Sequence, residues 1–161
     1  MRNELPRRKP IRLPHYDYSQ PGLYFITICT KNRQNLFWKP LVGAVCGRLP
    51  LSKLGKIVEC EIHKLSIVNK NITIPNYVIM PNHIHLMISV ADCNGRPQTA
   101  PTVSWVVNLF KGSVSKQAGY TIWQKSFYDH VIRSEASYLR IWQYIDENPL
   151  KWHEDCYFSD N

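Results

Sequence analysis

The chain has no C-x-x-C pair, no internal repeat and no apolar run near the length that a bilayer requires, and each absence removes a class of function. Its five cysteines (Cys29, Cys46, Cys60, Cys93 and Cys156) are odd in number and widely scattered, so neither a disulfide framework nor a zinc knuckle is expected and the thiols read as reduced. The opening MRNELPRRKPIRLP lacks the apolar centre of a signal peptide. A cytoplasmic protein with no membrane partner is therefore expected. Acidic residues are also in deficit: 12 Asp and Glu against 20 Lys and Arg give a formal charge of +8 and a pI near 9.3. That excess favours an anionic partner such as nucleic acid or a membrane surface, and is equally compatible with a basic soluble protein.

What is present suffices for one domain, since 161 residues at 44% hydrophobic can bury a core. Residues 1–20 carry Arg2, Arg7, Arg8, Lys9 and Arg12 among prolines and read as an extended basic arm, with residues 21–161 as the folded unit. LYFITICT, Leu23 to Thr30, is aromatic and β-branched and reads as a buried strand. Leu54, Ile57, Val58, Ile62 and Leu65 have amphipathic helix spacing, with Ser52 as cap. Ile72 to Met80 and His83 to Val90 read as adjoining strands about a Pro81-Asn82 turn. Val103, Val106, Val107, Phe110 and Val114 mark a second helix over 102–118, stopped by Gly119. Ile122 to Arg133 reads as an irregular fourth strand, and Ser134 opens a final helix that Pro149 ends. This order, β-α-β-β-α-β-α, predicts an α+β fold of the ferredoxin-like split βαβ type: an antiparallel sheet with two helices on one face.

Alternation in VIMPNHIHLMISV sends Ile84, Leu86, Ile88 and Val90 to one face and His83, His85 and Met87 to the other. Two imidazoles two residues apart thus project together from the face left open by the helices, where they could share a divalent cation. A bare H-x-H is more often a pair of half-exposed histidines, so a third ligand or a substrate oxygen is needed. His15, His63, His130 and His153 lie in other segments and read as surface or core residues.

In the last helix Ile141, Trp142 and Ile145 fall within about 60° of Tyr138 and form its core stripe. Tyr144 lies about 120° away with Asn148 one turn beyond it, so phenol and amide share a flank. A phenol of ordinary pKa near 10 is a weak nucleophile that a divalent ion can activate.

Taken together, RLPHYDYSQPGLYFITICTKNR, VIMPNHIHLMISV, SFYDHVIR and YIDENPLKW resemble the REP-associated tyrosine transposases of the single-tyrosine HUH nuclease superfamily, across most of the chain. The resemblance implies His83 and His85 as metal ligands, Tyr144 as nucleophile and Asn148 as third protein ligand, where small insertion-sequence relatives carry the longer glutamine. It implies Mg²⁺ or Mn²⁺ as cofactor and single-stranded DNA with a hairpin as partner, with a homodimer as one assembly open to it. Cleavage and rejoining would pass through a 5′-phosphotyrosine link. Phosphate contacts are expected from Arg7, Arg8, Lys9 and Arg12 in the arm and from Lys111, Lys116, Lys125, Arg133 and Arg140. Two other readings stay open: a non-catalytic nucleic-acid-binding module of the same fold, and a metal-dependent phosphodiesterase that uses water.

Overall fold

A computed structural model of the chain describes residue 16 and residues 20–39, 50–91 and 102–158. Four strands, β1 (Gly22–Cys29), β2 (Ile72–Ile79), β3 (His83–Val90) and β4 (Tyr128–Ile132), form one sheet in the order β2-β3-β1-β4, every neighbouring pair antiparallel. Between them run α1 (Lys53–Val68) and α2 (Val103–Ala118), and α3 (Glu135–Glu147) follows β4. This is the predicted split βαβ order with the predicted last helix. Pro75 lies where the β2–β3 register shifts, between Thr73 and Asn76, since it has no N–H to give the ladder. The fourth strand is shorter than expected: of the 122–133 stretch only Tyr128–Ile132 joins the sheet, with Trp123 bridging back to Thr30.

Each helix starts on a side-chain cap. Ser52 accepts from the Gly55 N–H, Thr102 from Trp105 and Ser134 from Ser137. Gly119 ends α2 at φ 81°, a left-handed conformation that costs a residue without Cβ nothing. Gly55 answers to a different demand, because a Cβ there would sit 2.2 Å from the Phe37 carbonyl oxygen. Gly55→Ala should cost about 1–3 kcal/mol, read as a lower urea midpoint, because backbone has to move to admit the methyl.

The two faces of the sheet have different coverings. Tyr77, opposite Leu86, hydrogen-bonds His63 of α1 through its hydroxyl at 3.1 Å, so α1 lies on the Ile84, Leu86, Ile88 face. Asn76, opposite Met87, donates to Asp146 of α3 at 3.0 Å, so α3 lies on the histidine face. Ile84, Leu86 and Ile88 are fully or almost fully buried, at about 2 kcal/mol each. Glu61 joins α1 to α2 beneath them, accepting from Ser113 and Gln117 of α2 and from Lys64. Burial pushes its carboxyl up, but these hydrogen bonds outweigh it and hold the pKa below the usual value.

Candidate active site

The expectation of an open histidine face needs correction. His83 and His85 are 0% and 1% exposed, because α3 and the stretch after it fold over that face. The Tyr157 ring lies 4.6 Å from His83, Trp152 6.0 Å from it, and Phe25 stacks on His85 at 5.1 Å. Alternation places both rings side by side as predicted, with their Nε2 atoms 3.0 Å apart. Each Nδ1 is engaged at the back: His83 with the Asn82 amide oxygen at 2.9 Å, and His85 with the hydroxyl of Thr27, its cross-strand partner, at 2.8 Å.

Tyr144 reaches this pair from α3. Its hydroxyl lies 3.3 Å from His85 Nε2, its ring packs edge-on against Phe25, and yet the residue is 42% exposed. Asn148, at the end of α3, is buried and neither amide atom has a hydrogen-bond partner of regular geometry. It still acts on Tyr144. Burial and the Asp155 carboxylate raise the phenol pKa to about 12, and Asn148 works against that rise.

Sequence reasoning missed Asp155. It lies in a non-periodic stretch after the 3-10 helix Asn148–Glu154, where nothing in the pattern singles it out. Its side chain is buried, with Oδ2 3.8 Å from His83 Nε2, and one ligand atom each from His83, His85 and Asp155 lie within 4.8 Å of one another. Two imidazole nitrogens and a carboxylate oxygen, mutually close and screened from water, suit a divalent first-row cation. A cleft of about 250 Å³ opens beside them, lined by Tyr144, Asn148 and Asp155 with Glu147, Lys151 and Glu154. Substrate could therefore approach the phenol from outside.

The histidines are neutral in this fold. Burial lowers His85 to about 3; burial first, then the neighbouring His85, takes His83 well below its usual 6.5. Unfolding below pH 6.5 therefore takes up protons that the folded chain refuses. Stability is complete above that value and falls as pH drops towards 3, by about 1.4 kcal/mol per unit for His85 alone. Urea midpoints measured from pH 7 to pH 5 should fall accordingly, and a flat profile would contradict neutral burial.

Not all of the expected phosphate-binding residues are among those described. Arg7, Arg8, Lys9 and Arg12 lie outside the described residues. Lys116, Lys125, Arg133 and Arg140 are exposed, and the Arg133 guanidinium lies over the Tyr16 ring at 5.5 Å. Lys111 instead closes a turn, donating to the carbonyls of Gln124 at 2.6 Å, Lys125 at 3.4 Å and Ser126 at 3.5 Å. Among the described residues no helix is long and apolar enough to cross a membrane.

No family model matches the chain. Among solved structures, that of a REP-associated tyrosine transposase bound to a REP hairpin superposes with a TM-score of 0.64 at 20% identity, over 88% of this chain and 74% of the other. A Deinococcus radiodurans protein aligns at a TM-score of 0.49 and 17% identity, over 84% and 95% of the two chains. An uncharacterized protein of Haemophilus influenzae is 35% identical over 174 residues, covering 95% of this chain and 94% of the relative. The chain has the fold of the REP-associated tyrosine transposase, with a histidine-hydrophobic-histidine motif at its centre, and it belongs to one family with the Haemophilus influenzae protein.

Proposed function

We propose that the protein cleaves and rejoins single-stranded DNA beside a hairpin, with the Tyr144 phenol as nucleophile and a divalent cation held by His83, His85 and Asp155. The observation that carries this is the 3.3 Å separation of the half-exposed phenol from a buried imidazole pair. An ordinary surface tyrosine has no reason to end there. Asn148, buried beside the phenol with no hydrogen bond of regular geometry from its amide, offers a further oxygen ligand. The hairpin is carried over from the solved REP-associated tyrosine transposase, which was bound to one.

When bound, the cation supplies charge neutralisation at a non-bridging oxygen of the scissile phosphate and favours the phenolate. Tyr144 gives up its proton and attacks phosphorus, forming an O–P bond to the tyrosine as the bond to the 3′ oxygen breaks, and the freed 3′ oxygen takes up a proton to become the 3′-hydroxyl. The phosphotyrosine ester preserves the energy of the broken bond, so a second 3′-hydroxyl can reverse the step. The phenol lies against a histidine of its own chain, which supports an active site complete in one copy; a homodimer is not required for it. Residues 21–161 form the catalytic unit in this reading, with residues 1–20 as a basic arm. Phosphates are held by that arm and by exposed Lys116, Lys125, Arg133 and Arg140. Imidazole ligands favour Mn²⁺ over Mg²⁺, which prefers all-oxygen surroundings.

The test is incubation of a labelled hairpin oligonucleotide with Mn²⁺ or Mg²⁺, followed by a denaturing gel. A protein-linked DNA band supports the proposal. Nicking without a protein-linked band would assign the chemistry to water, and intact DNA would leave only binding.

A further inference from the structure

The hydrogen bonds behind the two imidazoles determine more than their positions. Asn82 is fully buried, and its side-chain amide nitrogen donates to two backbone carbonyls, Arg33 at 3.2 Å and Tyr157 at 2.8 Å. Both partners are obligate acceptors, so the amide cannot be turned around, and its oxygen must be the atom that faces His83 Nδ1 at 2.9 Å. An oxygen there requires a proton on Nδ1. His83 Nε2 is consequently a bare lone pair.

The second ring follows from the first. His83 Nε2 and His85 Nε2 are 3.0 Å apart, and two lone pairs cannot face each other at that distance. The proton between them belongs to His85, which donates through Nε2 and accepts at Nδ1 from the Thr27 hydroxyl at 2.8 Å. A cation held by both Nε2 atoms needs the opposite His85 tautomer, with the proton on Nδ1. A threonine hydroxyl can rotate and accept that proton as readily as it donated its own. Asn82 has no such freedom.

We infer that Asn82 and Thr27 are positioning residues for the cation: Asn82 holds His83 permanently in the ligating tautomer, and Thr27 lets His85 change tautomer when the cation arrives. The ring is neutral before and after. One proton leaves Nε2 for solvent and one from solvent joins Nδ1, with no net release. This rests on the metal-holding part of the function proposed above, and adds which atoms make the pair able to ligate.

Two measurements test it. In ¹⁵N-histidine NMR spectra of the full chain without metal, His83 should be protonated at Nδ1 and His85 at Nε2, and diamagnetic Zn²⁺ should move the His85 proton to Nδ1. In Mn²⁺ titrations, Thr27→Val should bind about 10–100-fold more weakly than the wild type, while Thr27→Ser, which keeps the hydroxyl, should stay within about threefold. A His83 proton on Nε2, or a T27V variant with wild-type affinity, overturns the inference while leaving the nuclease proposal intact. Failure of the wild type to bind either cation overturns both. If T27V does not fold, the wild-type spectra alone decide.

Discussion

Tyr144→Phe should yield no covalent protein–DNA adduct, a loss of at least about 10⁴-fold in cleavage, while hairpin affinity should stay within about threefold of wild type. The change removes one oxygen atom and keeps the ring, so the packing against Phe25 and His85 survives. In the proposed function, binding rests on cationic side chains elsewhere. The wild-type phenol is protonated at neutral pH, its pKa raised to about 12 by burial and by the Asp155 carboxylate. If Tyr144 is the nucleophile, its reactive form is the phenolate, and adduct formation by the wild type should rise with pH through the neutral range. Quantifying the adduct on denaturing gels across that range, beside hairpin binding by the variant, checks both halves. An adduct retained by Y144F would move the nucleophile to another residue.

His83→Ala should abolish the second large effect, stabilisation by cation. For the wild type, Mn²⁺ at about one hundred times its dissociation constant should add about 2.7 kcal/mol, or about 5–10 °C in Tm for a chain of this size. The variant keeps His85 and Asp155 but loses one of two buried nitrogen donors, and its Tm should no longer respond to Mn²⁺. Cleavage should disappear with it. Without metal, the variant should lose less stability between pH 7 and pH 5 than the wild type does, since one buried group that refuses a proton has gone. Melting curves with and without Mn²⁺ at both pH values separate these effects. A variant that still gains stability from Mn²⁺ would place the cation elsewhere.

The predicted element order proved correct because it rests on local physics. A two-residue period assigns faces to β3, three-and-four spacing marks α1 and α2, and Ser52, Gly119 and Ser134 punctuate helices through their own backbone preferences. The same arithmetic puts His83 beside His85 and Tyr144 outside the Tyr138 stripe. It cannot report depth. The histidine face looked open because the two sheet-covering helices lie opposite, whereas residues 148–158 return over it and bury both rings.

That return follows no periodicity. Asp155 and Tyr157 sit in a segment whose position depends on long-range hydrogen bonds, such as Asn82 to the Tyr157 carbonyl, and on the Arg33 guanidinium over the Tyr157 ring at 5.4 Å. Lys111 shows the same limit, a basic residue by sequence and a turn clasp in space. The sequence by itself determined the α+β sheet, the pairing of two imidazoles on one strand and the flank that carries Tyr144, since period and capping are properties of neighbouring residues. Only the tertiary structure decided that the imidazoles are buried, that a carboxylate lies beside them and which polar groups each ring nitrogen faces. Dielectric surroundings and hydrogen-bond partners come from residues dozens of positions apart.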